Sequence, residues 1–183
     1  MAAIQAKADI SWIPRFQEKY ELWFAEAKAL LESHQYAPAF KTYPFPQFQQ
    51  TPWAPVRGPL SSGRLGIIST AAIYRRDLDP PFADTPEGDP QIIGLPREVN
   101  MQTLDTVHAH IPQELIRADV NVALPIDHLR ALVQEGRIGE LAVRFFSING
   151  YRTRADEVAI ETAPQIAAAL AEDGVTHALI VPV

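Results

Sequence analysis

The first third of the chain carries an amphipathic helical pattern and then a proline-rich segment. Between residues 12 and 33, apolar side chains recur at steps of three and four and form one stripe: Phe16, Tyr20, Trp23, Phe24, Ala27, Leu30 and Leu31. Ser11 is suited to cap this helix, and Pro14 falls in its first turn. Six prolines follow between residues 36 and 60, alternating with aromatic residues. Because proline removes an amide donor and restricts the residue before it, we expect an extended arm there.

The remainder of the chain alternates short apolar runs with helical patterns. The expected strands are 64–70, 103–111, 118–125, an edge strand at 141–150 and a buried final strand at 177–183. The expected helices are 126–139, which ends near Gly136, and 155–174, with a break or a new start at Pro164. This order predicts a three-layer, Rossmann-like α/β fold with a mostly parallel sheet. We therefore divide the chain into an N-terminal helix with its proline-rich arm, 1–60, and an α/β domain, 61–183.

Candidate binding residues lie at the ends of the predicted strands, because ligands of parallel sheets bind beyond the carboxyl ends of the strands. Ser69 and Thr70 end the first strand, and their hydroxyl and amide groups are candidate donors to a substrate carboxylate. A simple turn at the strand end is the alternative. Asp119 and Asn121, two residues apart, share one face of a predicted strand and are further substrate-binding candidates. The polar loop 75–90 exceeds a simple connection and is a functional-loop candidate.

Two histidines form the other candidate group. His108 and His110 are two residues apart, so on a strand both side chains project from one face. Such a pair positions a general acid and base, or ligates a divalent metal. Two histidines do not complete a metal site, so Asp105 or Asp119 would have to join them. Histidines without a ligand, in a loop or at a sheet edge, are the alternative.

Composition and charge narrow the classes of function. The 183 residues include no cysteine, which excludes disulfides, zinc–thiolate sites and a cysteine nucleophile within them. A net charge of −6 argues against nucleic acid as the main partner, because phosphate binding requires a basic surface. No apolar run approaches the roughly 20 residues needed to cross a bilayer, and the N-terminus has no apolar signal core. We expect a cytoplasmic protein that does not associate with membranes.

Five segments then carry a family pattern in a fixed order. They are IISTAAIYRRDLDPPFADTPEGDP, VHAHI, RADVNVALPIDHLRALVQEGRIGEL, FFSINGY and APQIAAALAEDGVTHALIVPV. Each segment alone is a weak signal, but their order and density across residues 64–183 are specific. Together they resemble the selenoprotein B subunits of glycine/sarcosine/betaine reductase and the related D-proline reductase.

The resemblance implies an oxidoreductase subunit that reductively cleaves a C–N bond in a small amino acid or a betaine. In that family, a strand ending in P-x is followed directly by selenocysteine or cysteine in a U/C-x-x-C pattern. This chain ends at Val183, one residue before that position. Truncation, for example by a UGA codon read as stop, and a genuine short variant without a redox centre are both open. The resemblance also implies a partner subunit that carries a pyruvoyl group.

Three interpretations therefore remain open. The first is a reductase subunit or fragment whose redox residue would follow Val183. The second is a non-catalytic α/β binding or assembly module that lacks the redox residue. The third is a metal-dependent enzyme that uses His108 and His110. In each case the aromatic helix and the proline-rich arm present large apolar surfaces, so we expect a homodimer or a larger assembly.

Overall fold

The computed structural model of the protein describes residues 9–49, 54–108 and 111–183. Its helices are α1 (Ile13–Glu32), α2 (Tyr36–Phe40), α3 (Gln113–Ala118), α4 (Ile126–Gln134), α5 (Ala155–Glu157) and α6 (Ala163–Glu172). Its strands are β1 (Arg64–Ser69), β2 (Ile73–Arg75), β3 (Ile92–Pro96), β4 (Leu104–Thr106), β5 (Glu140–Leu141), β6 (Arg144–Ile148) and β7 (His177–Val181). Short 3₁₀ turns cover Leu60–Ser62, Met101–Thr103 and Val120–Val122, and a π-helical turn covers Val158–Thr162.

Within the described part of the chain, the main sheet has five strands and is mostly parallel. Its order is β3–β6–β1–β7, and β5 pairs with the start of β1. β1 runs parallel to β5, β6 and β7, whereas β3 is antiparallel to β6. The predicted α/β fold with a mostly parallel sheet is confirmed.

Helices cover both faces of this sheet, which gives the three predicted layers. Successive side chains of a strand point to opposite faces, so Ile67 and Ile68 of β1 enter different apolar clusters, as do Phe145 and Phe146 of β6. The larger cluster takes its helical side chains from α3 and α4: Ile116, Ile126 and Leu129. The smaller cluster takes them from α6: Ile166 and Leu170.

Two strands differ from the prediction in whether they lie in the interior or at the edge of the sheet. Residues 141–150 were predicted to form an edge strand, but β6 lies in the interior, between β3 and β1. Residues 177–183 were predicted to form a buried strand, but β7 lies at the sheet edge, and Ile180 is 61% exposed. Apolar composition indicates that a segment is a strand, but strand order depends on contacts between segments far apart in sequence.

The strand predicted at 118–125 is wrong. The Asp119 side chain accepts a hydrogen bond from the Asn121 amide at 2.9 Å and starts a 3₁₀ turn. Short polar side chains of this kind compete with strand pairing for backbone amides. The strand expected at 103–111 is shorter than predicted. Among the described residues of this range, only β4 is a strand, and it pairs antiparallel with β2 in a separate two-stranded sheet.

The N-terminal helix is confirmed, with differences at its ends. The cap position is Trp12 rather than Ser11, whose hydroxyl donates to Asp9 at 2.6 Å. The predicted extended arm begins instead with the short helix α2, which tolerates Pro38 because Pro38 lies in its first turn. Residues 41–49 contain neither helix nor strand, and residues 50–53 of the arm lie outside the described residues.

The helix predicted at 155–174 has the expected interruption. α5 leads into the π-helical turn, and α6 starts at Ala163 with Pro164 in its first turn. Proline is tolerated there because first-turn amides have no partner within the helix. The other predicted helix, 126–139, is α4, and Gly136 follows it with a φ of 71°.

Candidate functional site

The carboxyl ends of β1, β6 and β7 meet at Thr70. The Thr70 amide donates to the Val181 carbonyl at 3.1 Å, and the Val183 amide donates to Thr70 Oγ1 at 2.9 Å. The Gly150 amide, just after β6, donates to the Thr70 carbonyl at 2.8 Å. The predicted Ser-Thr turn and the final segment of the chain are therefore direct neighbours.

Gly150 allows this close approach. A Cβ atom at Gly150 would lie 2.9 Å from both Cβ and Oγ1 of Thr70, and 3.0 Å from the Thr70 carbonyl oxygen. A Cβ atom this close to the side chain and the carbonyl oxygen of Thr70 would force one of the two segments to shift. Glycine here lets the segment after β6 lie against the end of β1.

Ser69 and Thr70 face different surroundings. Ser69 is fully buried, and its hydroxyl donates to the Ala123 carbonyl at 2.8 Å and accepts from the Ala71 amide at 3.3 Å. These bonds hold the turn against the interior. Thr70 instead lines a cavity of about 410 Å³ beyond the end of the sheet. Ser69 does not line this cavity, so of the predicted Ser-Thr pair only Thr70 does.

The segment that carries His108 is tied to the same turn. Thr106 Oγ1 donates to the Ala71 carbonyl at 2.5 Å, and the Val107 amide donates to the Ala72 carbonyl at 3.2 Å. Ala72 has a φ of 51°, an uncommon value for a residue with a side chain, so tertiary contacts impose this conformation. His108 follows directly and is buried, with 3% of its surface exposed.

His110 lies outside the described residues, so the geometry of the histidine pair stays a prediction. Within 9–49, 54–108 and 111–183, three or more His, Cys, Asp or Glu side chains do not come together in a group able to hold a metal ion. The acid/base and metal roles of His108 and His110 likewise stay predictions.

Asp119 and Asn121 form a local polar cluster on the surface. The Asn121 side-chain amide donates to Asp119 at 3.0 Å and to Asp127 at 3.2 Å, and Asn121 Oδ1 accepts from the Asp127 amide at 3.1 Å. These contacts fix the entry into α4. Neither residue lines the cavity beside Thr70.

The cavity lies between the sheet and the N-terminal helical unit, which we define as residues 9–49 with α1 and α2. The described residues that line it are Trp12, Pro46, Phe48, Thr70, Pro90, Gln91, Ile148, Asn149, Gly150, Arg152, Ala155, Val158, Ala159 and Thr162. Most of these side chains are apolar, and Arg152 is the only one of them that carries a charge. A mostly apolar cleft with a few polar groups at the end of a parallel sheet is typical of a small-molecule site.

Arg152 is held in place by the long polar loop. The Thr153 amide donates to the Glu87 carbonyl at 3.1 Å, and the Tyr151 hydroxyl donates to the Pro86 carbonyl at 3.0 Å. Gly88 has a φ of 80°, and a Cβ there would lie 1.8 Å from the Tyr151 carbonyl oxygen. The loop 75–90 thus packs against the Arg152 segment.

An ion pair within this segment is joined to α1 by a hydrogen bond. Arg154 binds Asp156 through two hydrogen bonds, of 2.8 and 3.0 Å, and Gln17 of α1 donates to the same carboxylate at 2.9 Å. Burial by itself raises the pKa of Asp156. The hydrogen bonds from Arg154 and Gln17, together with the charge of Arg154, outweigh burial and lower this pKa below its usual value.

Tyr20 of α1 and Tyr43, which follows α2, also contact the segment that carries Arg152. The hydroxyls of Tyr20 and Thr153 lie 2.9 Å apart, and the Tyr43 hydroxyl donates to the Thr153 carbonyl at 2.6 Å. Burial raises the pKa of both tyrosines, that of Tyr43 to about 12. Both hydroxyls therefore remain protonated at neutral pH, and that of Tyr43 remains a donor.

Sequence reasoning missed Asn149, Gly150 and Arg152. The segment FFSINGY contains Asn149 and Gly150 and ends at Tyr151, directly before Arg152. Because 141–150 was expected at the sheet edge, the sequence did not predict that these residues lie beside Ser69 and Thr70. Had the sequence shown that β6 lies in the interior and parallel to β1, it would have predicted these residues near Thr70, because adjacent parallel strands end at the same edge of the sheet.

None of the helices in the described part of the chain is both long enough and apolar enough to span a membrane. This agrees with the apolar runs of the sequence, which are all short.

Comparisons with known proteins place these features in a family context. The model of the glycine/sarcosine/betaine reductase selenoprotein B family matches residues 87–182, just over half of the chain. D-proline reductase subunit gamma of Acetoanaerobium sticklandii is 28% identical over 131 residues, which cover 70% of this chain and 52% of that protein. No solved structure matches the chain.

Two further relatives come from Peptoclostridium acidaminophilum. The sarcosine reductase complex component B subunit beta is 28% identical over 61% of this chain and 26% of that protein. The betaine reductase complex component B subunit beta is 31% identical over 67% of this chain and 28% of that protein. The matched part of the chain thus spans between a quarter and about half of the length of these relatives.

Proposed function

The chain belongs to the glycine/sarcosine/betaine reductase selenoprotein B family, and from that premise we propose that it is a subunit, or part of one, of a reductive C–N-cleaving oxidoreductase. The proposed substrate class is a small amino acid or a betaine. The proposed reaction centre is a selenocysteine or cysteine that follows Val183 in the full-length gene product. A pyruvoyl-bearing partner subunit and a location in the cytoplasm belong to the same proposal.

The observation that carries the proposal is the contact between Val183 and Thr70. The Val183 amide lies 2.9 Å from Thr70 Oγ1, so the chain leaves β7 at the edge where β1 and β6 also end. A residue presented there would stand at the mouth of the cavity that Thr70 lines. The carboxyl edge of a parallel sheet is where α/β enzymes place their reacting groups.

The proposed chemistry requires a strong nucleophile at that position. A selenolate or thiolate attacks the α-carbon of the substrate, a bond forms between chalcogen and carbon, and the C–N bond breaks. The amine leaves with the bonding electron pair and takes up a proton. A dithiol then attacks the chalcogen, and the C–chalcogen bond electrons pass to carbon, which takes up a proton. The mixed chalcogen–sulfur bond is reduced by the second thiol.

None of the 183 residues is a cysteine, so the chain by itself supplies no such nucleophile. We therefore expect no reductive deamination of glycine, betaine or D-proline by the purified chain alone. Activity of the chain alone would contradict the assignment of the reaction centre to a residue beyond Val183.

Sequencing the gene beyond codon 183 tests the proposal. An in-frame UGA or cysteine codon, followed three residues later by a cysteine codon, is the expected result. A UAA codon with non-coding sequence beyond it would refute the reductase assignment and support a binding or assembly module.

A further inference from the structure

Arg152 is an unusual feature of the cavity wall. Its side chain is only 8% exposed, and it lines the cavity beside Thr70, Asn149 and Gly150. The Nε atom is buried and has no hydrogen-bond partner among the described residues. Buried guanidinium donors are normally satisfied, because leaving one without an acceptor costs the full desolvation of that group.

The neighbouring carboxylates do not fully occupy this guanidinium. Glu157 accepts from Arg152 Nη2 at 3.0 Å, but it is also shared with Arg154 at 3.3 Å. Asp156 is taken by Arg154 and Gln17. Arg152 therefore has one shared acidic partner and retains a donor for another acceptor.

We propose that the cavity is a carboxylate-binding subsite in which the Arg152 guanidinium holds the carboxylate of a small organic acid. Arginine suits this role, because its planar donors match the geometry of a carboxylate. The apolar remainder of the ligand packs against Trp12, Phe48 and Val158, which line the same cavity. The identity of the natural ligand, an amino acid or betaine, rests on the proposed function.

The subsite also orients its ligand. Arg152 and Thr70 line one cavity, and Thr70 contacts the end of β7 through Val183. When the carboxylate is bound to Arg152, the rest of the ligand extends within the cavity that Thr70 also lines. Arg152 is thus a binding and positioning residue and takes no part in bond making.

The test compares a carboxylate with a neutral molecule of the same shape. Pivalate and pivalamide are titrated into the purified chain in low-salt buffer, and the indole N–H resonance of Trp12 is followed by NMR. The Trp12→Phe variant assigns that resonance. We expect pivalate to bind about tenfold more tightly than pivalamide, because a charge-assisted hydrogen bond to Arg152 is available only to the carboxylate. Equal affinities for the two molecules would overturn the proposal.

Three variants locate the effect. Arg152→Gln reduces pivalate affinity by about tenfold and leaves pivalamide unchanged, since only the charged donor is lost. Glu157→Gln removes the competing carboxylate and raises pivalate affinity about threefold or more. Arg137→Gln, at a side chain that is 71% exposed and outside the cavity, leaves both affinities unchanged.

Circular dichroism establishes that each variant is folded. If Arg152→Gln does not fold, Glu157→Gln decides the matter, because unchanged or weaker pivalate binding in that variant contradicts the proposal. Retained pivalate affinity in folded Arg152→Gln contradicts it equally.

These titrations need neither a redox residue nor a reaction. If the chain does not bind pivalate more tightly than pivalamide, the carboxylate subsite is refuted but the reductase assignment is unaffected. A gene that ends after codon 183 removes that assignment and leaves the subsite intact.

Discussion

Asp156→Asn tests how the N-terminal helical unit is held over the cavity. Asp156 is fully buried and binds Arg154 by two hydrogen bonds and Gln17 of α1 by a third. The substitution keeps the shape of the side chain but removes its charge. Because Gln17 of α1 donates to this carboxylate and Trp12, at the start of α1, lines the cavity, Asp156 also supports the candidate site.

The magnitude follows from the burial of the pair. Breaking a buried ion pair costs about 3–5 kcal/mol in free energy of unfolding, because an uncompensated charge remains. Arg154 is 24% exposed and keeps Glu157 at 3.3 Å as a second partner, so the loss falls at or just below the lower end of this range. We expect Asp156→Asn to reduce the free energy of unfolding by about 2–3 kcal/mol at pH 7.

Urea unfolding followed by circular dichroism measures this loss. Because the folded-state pKa of Asp156 is lowered, its stabilising effect is complete above the unfolded pKa of about 3.9 and is lost as the pH falls through the folded pKa. The difference between wild type and variant should therefore shrink below about pH 4. Glu32→Gln, at an exposed pair with Lys28, is the control and should be neutral. A loss below about 0.5 kcal/mol at pH 7 would refute the assigned role of the buried pair.

Further predictions concern packing and assembly. Gly150→Ala should destabilise the fold by about 1–3 kcal/mol in urea unfolding, because its Cβ would clash with Thr70. Gly94→Ala, whose Cβ meets no atom within 4 Å, is the matched control and should be neutral or stabilising; equal effects of the two would contradict the packing at Thr70. Tyr43→Phe leaves the buried Thr153 carbonyl without its 2.6 Å donor and should cost about 1–3 kcal/mol, whereas an unchanged urea midpoint would show that this bond contributes nothing. Light scattering at micromolar concentration should give the mass of a dimer or larger assembly, and a monomer mass would contradict this expectation.

Patterns local in sequence predicted most of the elements. The apolar stripe of α1 recurs at helical spacing and is buried as expected, with Phe16, Tyr20 and Trp23 in one cluster. The alternation of strands and helices predicted the parallel sheet correctly. These signals succeed because helical periodicity and apolar runs reflect contacts made within one element or with one face of the sheet.

Strand order and local hydrogen bonding were not predictable in the same way. The interior place of β6 and the edge place of β7 depend on pairing between segments far apart in the chain. Asp119 and Asn121 were read as two positions of a strand, but their side chains hydrogen-bond to nearby backbone amides and form a turn.

The candidate site was predictable only in part. The rule that ligands bind beyond the carboxyl ends of parallel strands predicted that Thr70 and the end of β7 belong to the site. In the structure the two are in contact. Arg152 does not belong to any motif that the sequence analysis identified. Its importance comes from burial and from the missing acceptor at Nε, and both depend on how the loop 75–90 and the N-terminal unit pack around it.

Mass spectrometry of the native protein, isolated from its own cells and treated with iodoacetamide after reduction, identifies the residue that follows Val183. We expect a peptide that continues past the sequence HALIVPV and carries an alkylated selenocysteine or cysteine at the next position. A native C-terminal peptide that ends at Val183, with no alkylated residue, would contradict the claim that this strand edge presents the reacting group.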